Sequence, residues 1–134
     1  MKPYVLITRP VSPTAIELLT SVCDILPRIE LPERRRADNR LIAANAHALL
    51  LATPDRIDDI VLHDFPLLRV VACVFRLPEH IDIAASTRRC MWVTNVTTGW
   101  FLRDAEIDAA RNILDVLSGD TPRHALNEVL QSAA

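Results

Sequence analysis

The side chains through which this chain could do chemistry are few and scattered. Four histidines, His47, His63, His80 and His124, stand with three cysteines, Cys23, Cys73 and Cys90, and an aspartate group, Asp55, Asp58 and Asp59. No two histidines lie at i, i+3 or i, i+4 and none pairs closely with a cysteine, so no zinc-type ligand set is offered and no metal is expected. A Cys–His nucleophile would need Cys73 or Cys90 beside His80 in space. Buried reduced thiols are the simpler reading, because two of the cysteines fall in strand patterns and an odd number does not suit a disulfide framework. The aspartates stand where a helix should start, and carboxylates there cap free N–H groups and favour the helix dipole. What remains is a polar loop, Arg76 to His80, whose arginine could hold an anion through paired N–H groups. Thr53, His80 and Asn95 are its expected neighbours, and no residue is assigned a catalytic role.

That loop draws its interest from its flanks. An unbroken apolar run, Val70 to Phe75, precedes it, and a short helix signal from Asp82 to Arg89 leads into a second run, Met91 to Asn95. Runs apolar at every position suit strands covered on both faces, as in parallel sheets built from βαβ units. The same alternation holds upstream. Tyr4 to Thr8 is a strand, Ser12 and Pro13 cap a first helix, and Cys23 to Leu26 form a second strand. Pro32 and Glu33 begin a second helix carrying Ala37, Leu41 and Ala44 on one face, Ala48 to Ala52 is a third strand, and a third helix follows Thr53. Strands start roughly every twenty residues, the spacing of right-handed crossovers. The expected fold is α/β: a five-stranded, flavodoxin-like parallel sheet of order 2-1-3-4-5 with helices on both faces. Ligands in such sheets bind at the carboxyl ends of the strands, where the Arg76 loop and Asn95 lie.

Composition narrows the function classes. The chain has 134 residues, a net charge of -2 and only two glycines, Gly99 and Gly119. A phosphate-cradling loop needs several glycines close together, so no dinucleotide fingerprint or P-loop is present and no cofactor is expected. All but one of the 15 basic residues are arginines, yet they are dispersed, which argues against nucleic acid as a partner. The exception, Arg34 to Arg36, reads as a solvated helix face, with contact to an acidic partner as the alternative. No apolar run approaches the ~20 residues that cross a bilayer, and no signal-peptide pattern opens the chain. A cytoplasmic protein with no membrane partner is expected.

A family likeness is carried by particular stretches. Thr53-Pro54-Asp55-Arg56-Ile57-Asp58, then Pro66 with Leu68-Arg69-Val70-Val71, then His80-Ile81-Asp82-Ile83 with Ala85, Thr87 and Arg89, then Val93-Thr94-Asn95-Val96 resemble the substrate domain of the D-2-hydroxyacid dehydrogenases. Within that family the likeness is greatest to the phosphite (phosphonate) dehydrogenase branch. It covers residues 1–98, the core of the sheet. It resumes in Ala105 to Pro122, which resembles the helix by which that family's chain returns to its substrate domain. The resemblance implies a nucleotide domain between these pieces, and 99–103 is the junction at which it is absent. With it go the arginine, glutamate and histidine the family uses in catalysis. In the loop after the fourth strand, phosphite-oxidising members have lysine followed by glycine, where this chain has Arg76-Leu77. Leucine there would obstruct close backbone approach, or strain the loop if a positive φ were needed. Cys90 likewise replaces a glycine that ends a helix.

The whole chain therefore reads as one substrate-domain module. A returning helix, 104–118, carries Ile107, Ala110, Leu114 and Leu117 on its apolar stripe and is stopped by Gly119 and Pro122, and a tail, 119–134, adds a helical turn or frays. The expected function is a catalytically inactive module binding a small anion or a protein. The alternative is one component of a split NAD-dependent oxidoreductase that borrows its nucleotide domain. Trp100, Phe101 and Leu102, with Phe75 and Leu77 near them, form the expected interface of a homodimer, unless the junction folds back to cover the sheet edge.

Overall fold

The computed structural model describes residues 2–97 and 101–129. Five parallel strands, β1 (Tyr4–Ile7), β2 (Asp24–Ile25), β3 (Ala48–Leu51), β4 (Val70–Cys73) and β5 (Trp92–Thr94), form one sheet in the order β2-β1-β3-β4-β5. This is the α/β architecture expected from the apolar runs, with strands one or two residues shorter than those runs. Alternate residues face opposite sides, as the pleat requires. Val5, Ala48, Leu50, Val70, Ala72 and Trp92 point to one face, and Leu6, Leu49, Leu51, Val71, Cys73 and Val93 to the other.

The strand order decides which helix covers what. The chain steps from β1 to β2 in one direction and then returns past β1 to β3, β4 and β5, so right-handed crossovers put the first helix alone on its face. That helix, α1 (Pro13–Thr20), is capped by the Ser12 hydroxyl, which accepts from Ala15 N–H, with Pro13 in the first turn. It buries Ala15 and Leu19 but leaves the β3 to β5 end of this face open. The last helix, α5 (Leu102–Leu117), fills that space, packing on α1, β3, β4 and β5. Small residues on both sides, Ala48 and Ala72 on the strands and Ala105, Ala109 and Ala110 on α5, allow close approach. Arg69 donates to the Val116 carbonyl at the helix's negative end.

The opposite face carries three short helices, α2 (Asn39–Asn45), α3 (Asp59–His63) and α4 (Ile83–Arg88), around Phe65, Ile57, Leu62 and Met91. Asp58 and Asp82 cap α3 and α4 by accepting from Val61 and Ala85 N–H. Asp59 does not cap but pairs with Arg89, and Asp55 sits outside the helix.

Several expectations need correction. The second helix is not continuous: a 3-10 turn over Leu31–Glu33 is followed by a break at Ala37, where φ is 20°, before α2 begins. Side-chain to backbone bonds stabilise the break, Asn39 Nδ2 to the Glu33 carbonyl and Arg40 Nε to the Arg35 carbonyl. Leu41, expected inward, is 68% exposed, and Ala43 takes the buried position. Nor are all the arginines of 34–36 a solvated face: Arg34 and Arg35 both donate to Asp64 Oδ2, at 2.8 and 2.9 Å, while Arg36 faces solvent beside Glu33. The buried stripe of α5 is Ala105, Ala109, Ala110, Ile113 and Val116, with Ile107, Leu114 and Leu117 only half-buried at its margins. Glu106 and Asn112 are buried with it because each has a tertiary partner. Of the thiols, Cys23 and Cys73 are buried and Cys90 is exposed.

The tail from Ala125 adds no helical turn over its described residues, and 130–134 lie outside them. Leu126 N–H donates to the Val93 carbonyl, and the Asn127 side chain accepts from Val93 N–H and donates to the Met91 carbonyl. These bonds occupy the open edge of β5, which would otherwise invite pairing with another strand.

Candidate functional site at the carboxyl edge

The carboxyl ends of β1, β3, β4 and β5 converge on the site expected from the sequence. Beside β1 and β3, a chain of hydrogen bonds joins Ala52 N–H, the Thr8 hydroxyl, the Thr53 hydroxyl and the Asp55 carboxylate. A hydroxyl carries one proton and an ionised carboxylate only accepts, so the Thr53 proton goes to Asp55 and Thr8 supplies the proton between the threonines. Thr53 is therefore committed to a carboxylate rather than open to an anion. Thr8, buried at this junction, was missed in the sequence. Its only signal was a hydroxyl closing an apolar strand just before Arg9-Pro10.

After β4 the loop turns tightly, with Glu79 N–H donating to the Leu77 carbonyl and Ile81 N–H to that of Pro78. An isolated parallel bridge, Ile57 to Ile81, pins its far end to the β3–α3 connection. Leu77 is not among the residues with positive φ, so the substitution for glycine strains nothing. Its side chain instead projects from the edge, 75% exposed. The Arg76 guanidinium is exposed and has no ion-pair partner among the described residues. The backbone N–H groups of Arg76 and Leu77 likewise have no acceptor among them.

Asn95 braces this loop from β5. Its Nδ2 donates to the Arg76 carbonyl at 2.9 Å, while Asn112 of α5 donates to the Asn95 carbonyl and Asn95 N–H reaches that of His124. Asn112 Oδ1 in turn accepts from His124 N–H. The final helix and the tail thus hold the loop through one asparagine. A polar residue on the buried stripe of α5 was the signal that could have revealed it.

His80 packs edge-on against Phe75, ring centroids 5.2 Å apart, with its Nε2 shielded and without a hydrogen-bond partner among the described residues. Burial holds the imidazole below its ordinary range, and the Asp55 charge only partly opposes this. It is a neutral ring with no hydrogen-bonded carboxylate to orient it, unlike a general base. The Cys73 thiol is no nucleophile either: burial pushes it up to about 11, and it donates to the Phe75 carbonyl. Cys23 is pushed equally high by burial, with Asp24 adding to the shift. Among the described residues no group of three His, Cys, Asp or Glu could hold a metal ion. The site thus unites Arg76, His80 and Asn95 around one loop and ties Thr53 into a neighbouring network. Of the expected interface residues, Phe101 and Leu102 are 69% and 52% exposed, and Trp100 lies outside the described residues. No helix among the described residues is long and apolar enough to cross a membrane.

Comparison with known proteins agrees with this geometry. Residues 5–106 match the family model of the D-isomer specific 2-hydroxyacid dehydrogenase catalytic domain. A glyoxylate reductase from Thermococcus kodakarensis is 33% identical over 118 residues, covering 85% of this chain and 34% of the relative. One from Aeropyrum pernix is 34% identical over 96 residues, covering 70% and 28%. The solved 2-hydroxyacid dehydrogenase from Ketogulonicigenium vulgare shares the fold along 99% of this chain and 45% of its own, with a TM-score of 0.57 at 18% identity. This chain spans about a third of the length of the curated relatives it matches. A family model matched over most of the chain, on a sheet of this order, makes the protein a member of the D-2-hydroxyacid dehydrogenase family, represented by its substrate-binding domain.

Proposed function

We propose that this chain is a substrate-binding module that holds a small oxyanion at the Arg76 loop and does not itself transfer hydride. The observation that carries the reading is the coincidence on one braced loop of a guanidinium and two backbone N–H groups without partners among the described residues, at the carboxyl edge where such sheets bind ligands. An arginine fork matches phosphite or the carboxylate of a 2-oxoacid bidentately, and the Arg76-Leu77 pair leaves both anions open. What surrounds the loop supports the reading that the chain does not transfer hydride. The histidine is neutral and unoriented, the buried thiols are protonated, and two glycines cannot build a nucleotide loop. A cytoplasmic setting suits two buried free thiols.

Titration of phosphite, sulfate and glyoxylate into the protein and into Arg76→Ala tests the site. Saturable binding that the variant loses supports it, and binding unchanged by the variant assigns the anion elsewhere. Oxidation of phosphite or a 2-hydroxyacid with NAD should be undetectable.

The exposed Leu77, Phe101 and Leu102 favour a partner at this same edge, and we take that partner to be a second copy. Sedimentation equilibrium should show a dimer that Phe101→Ser weakens, and a monomer at every concentration rejects it. The same residues support a second reading, in which a separate nucleotide domain docks there and completes an NAD-dependent oxidoreductase. Saturable NAD binding by this chain alone would overturn the first reading in favour of an enzyme.

A further inference from the structure

Away from the Arg76 loop, a pocket of about 230 Å³ opens where the chain leaves β1 and β2 beside α1. Its walls include Val11, Ile16, Ile25 and Leu26, all half-buried, and Arg9 and Arg28 complete it. β3 separates β1 from β4 in the sheet, so this pocket lies about two strand spacings, ~10 Å, from the loop after β4.

The two arginines are what make the pocket informative. Neither has an ion-pair partner among the described residues, and no acidic side chain lines the cavity. Arg9 Nε is shielded from solvent with no hydrogen-bond partner among the described residues. A buried N–H of a cation without an acceptor is costly unless something supplies one. Apolar walls beside two uncompensated guanidinium forks define a ligand with an aliphatic body and an anionic head. We propose that this pocket binds a medium-chain aliphatic monocarboxylate, its chain against Val11, Ile16, Ile25 and Leu26 and its carboxylate between Arg9 and Arg28. At ~30 Å³ per water-sized group, the cavity takes about eight non-hydrogen atoms, the size of hexanoate. This site stands whether or not the Arg76 loop binds an anion.

The test is an NMR titration of the isotope-labelled full chain with hexanoate, with hexan-1-ol as the same chain without charge and acetate as the same charge without chain. Hexanoate should bind in the millimolar range or tighter and shift the resonances of Val11, Ile16, Ile25 and Leu26. Hexanol and acetate should each bind at least about tenfold more weakly, a difference of ~1.4 kcal/mol. Arg9→Gln should lose that same factor. Arg28→Gln, at an exposed position, keeps the test decisive if the first variant unfolds, and it too should weaken hexanoate. Arg76→Ala should leave hexanoate binding unchanged. Equal binding of hexanoate and hexanol, shifts centred on the Arg76 loop, or no saturable hexanoate binding each overturns the proposal.

Discussion

The two faces of this sheet are closed by different means. Three short helices cover one face, each following the strand before it; Asp58 and Asp82 cap α3 and α4, and ion pairs of Arg34 and Arg35 with Asp64 and of Arg89 with Asp59 tie the helices' surroundings together. The other face is closed by one long helix that arrives after the last strand and must cover β3, β4 and β5 together. Its ties reach far along the chain: Glu106 Oε1 accepts from Ser12 N–H at 2.8 Å, and Asn112 joins Asn95 to His124. The comparison separates closure by several short helices from closure by one long helix docked across three strands. The long helix also braces the Arg76 loop through Asn112 and Asn95, so its docking couples stability to the candidate site.

Ile113→Ala tests the docked face most severely. Ile113 is fully buried against the sheet, and truncating such a side chain costs about 2–5 kcal/mol. Leu114→Ala, at the half-buried margin, should cost less. Urea unfolding checks both, and a loss below about 0.5 kcal/mol for Ile113 would mean that α5 does not close this face. Next in size comes Glu106→Ala, which leaves the Ser12 N–H without its acceptor for about 1–3 kcal/mol. Glu106→Gln keeps an acceptor oxygen and should recover much of that loss, whereas equal losses would show that the hydrogen bond contributes nothing.

The same division explains what could be read from the sequence. The strands of both faces were legible because burial on two sides leaves apolar residues at every position, as in Val70 to Cys73. The cap at Ser12 and the capping role of the aspartates before α3 were legible because capping acts within four residues. Long-range effects were not. The stripe of α5 was misassigned because Glu106 and Asn112 are inward only by virtue of Ser12 and Asn95, whose positions no helical periodicity reveals. The pairing of Arg34 and Arg35 escaped for a like reason, since Asp64 lies about thirty residues away. At the candidate site the loop and its arginine were visible, but the commitment of Thr53 to Asp55 was not.

Acid should loosen the face of the three short helices in two stages. His80 has a depressed folded-state pKa, so its contribution is whole above the unfolded value near 6.5 and is lost as pH falls through the folded one. Asp64 follows. Burial would raise its carboxyl, but hydrogen bonds from Arg35 and Arg34 override this and hold it below 3.8, so its share is whole above 3.8 and lost on further acidification. Urea midpoints against pH should fall first below about 6.5 and again below about 4. His80→Phe should remove the first step, and Asp64→Asn the Asp64 share of the second, at a cost near pH 7 of about 1 kcal/mol, since the arginines are partly solvated. Asp115, similarly depressed by its hydrogen bond with Arg123 on the other face, adds to the second step and would survive in the Asp64 variant.

The smallest effect is the sharpest comparison, because α4 and α5 end in the same turn with different residues. After α4, Cys90 N–H bonds to the Thr87 carbonyl and Met91 N–H to that of Ser86; after α5, Gly119 N–H bonds to Val116 and Asp120 N–H to Asp115. Both are Schellman turns, which require a left-handed residue after the cap. Gly119 meets the requirement at φ 87°, but Cys90 adopts φ 58° with a side chain, a conformation that costs about 1–2 kcal/mol outside glycine. Cys90→Gly should relieve this and give back part of the gain through a more flexible unfolded chain, for a net stabilisation of about 0.5–1 kcal/mol. Gly119→Ala should do the reverse by a similar amount, for backbone reasons alone, because an added Cβ meets nothing within 4 Å. Loss of stability in Cys90→Gly would show that the thiol holds the end of α4 by contacts its exposed position does not suggest. Opposite shifts of the two variants would confirm that these helix ends differ only in the residue asked to turn left.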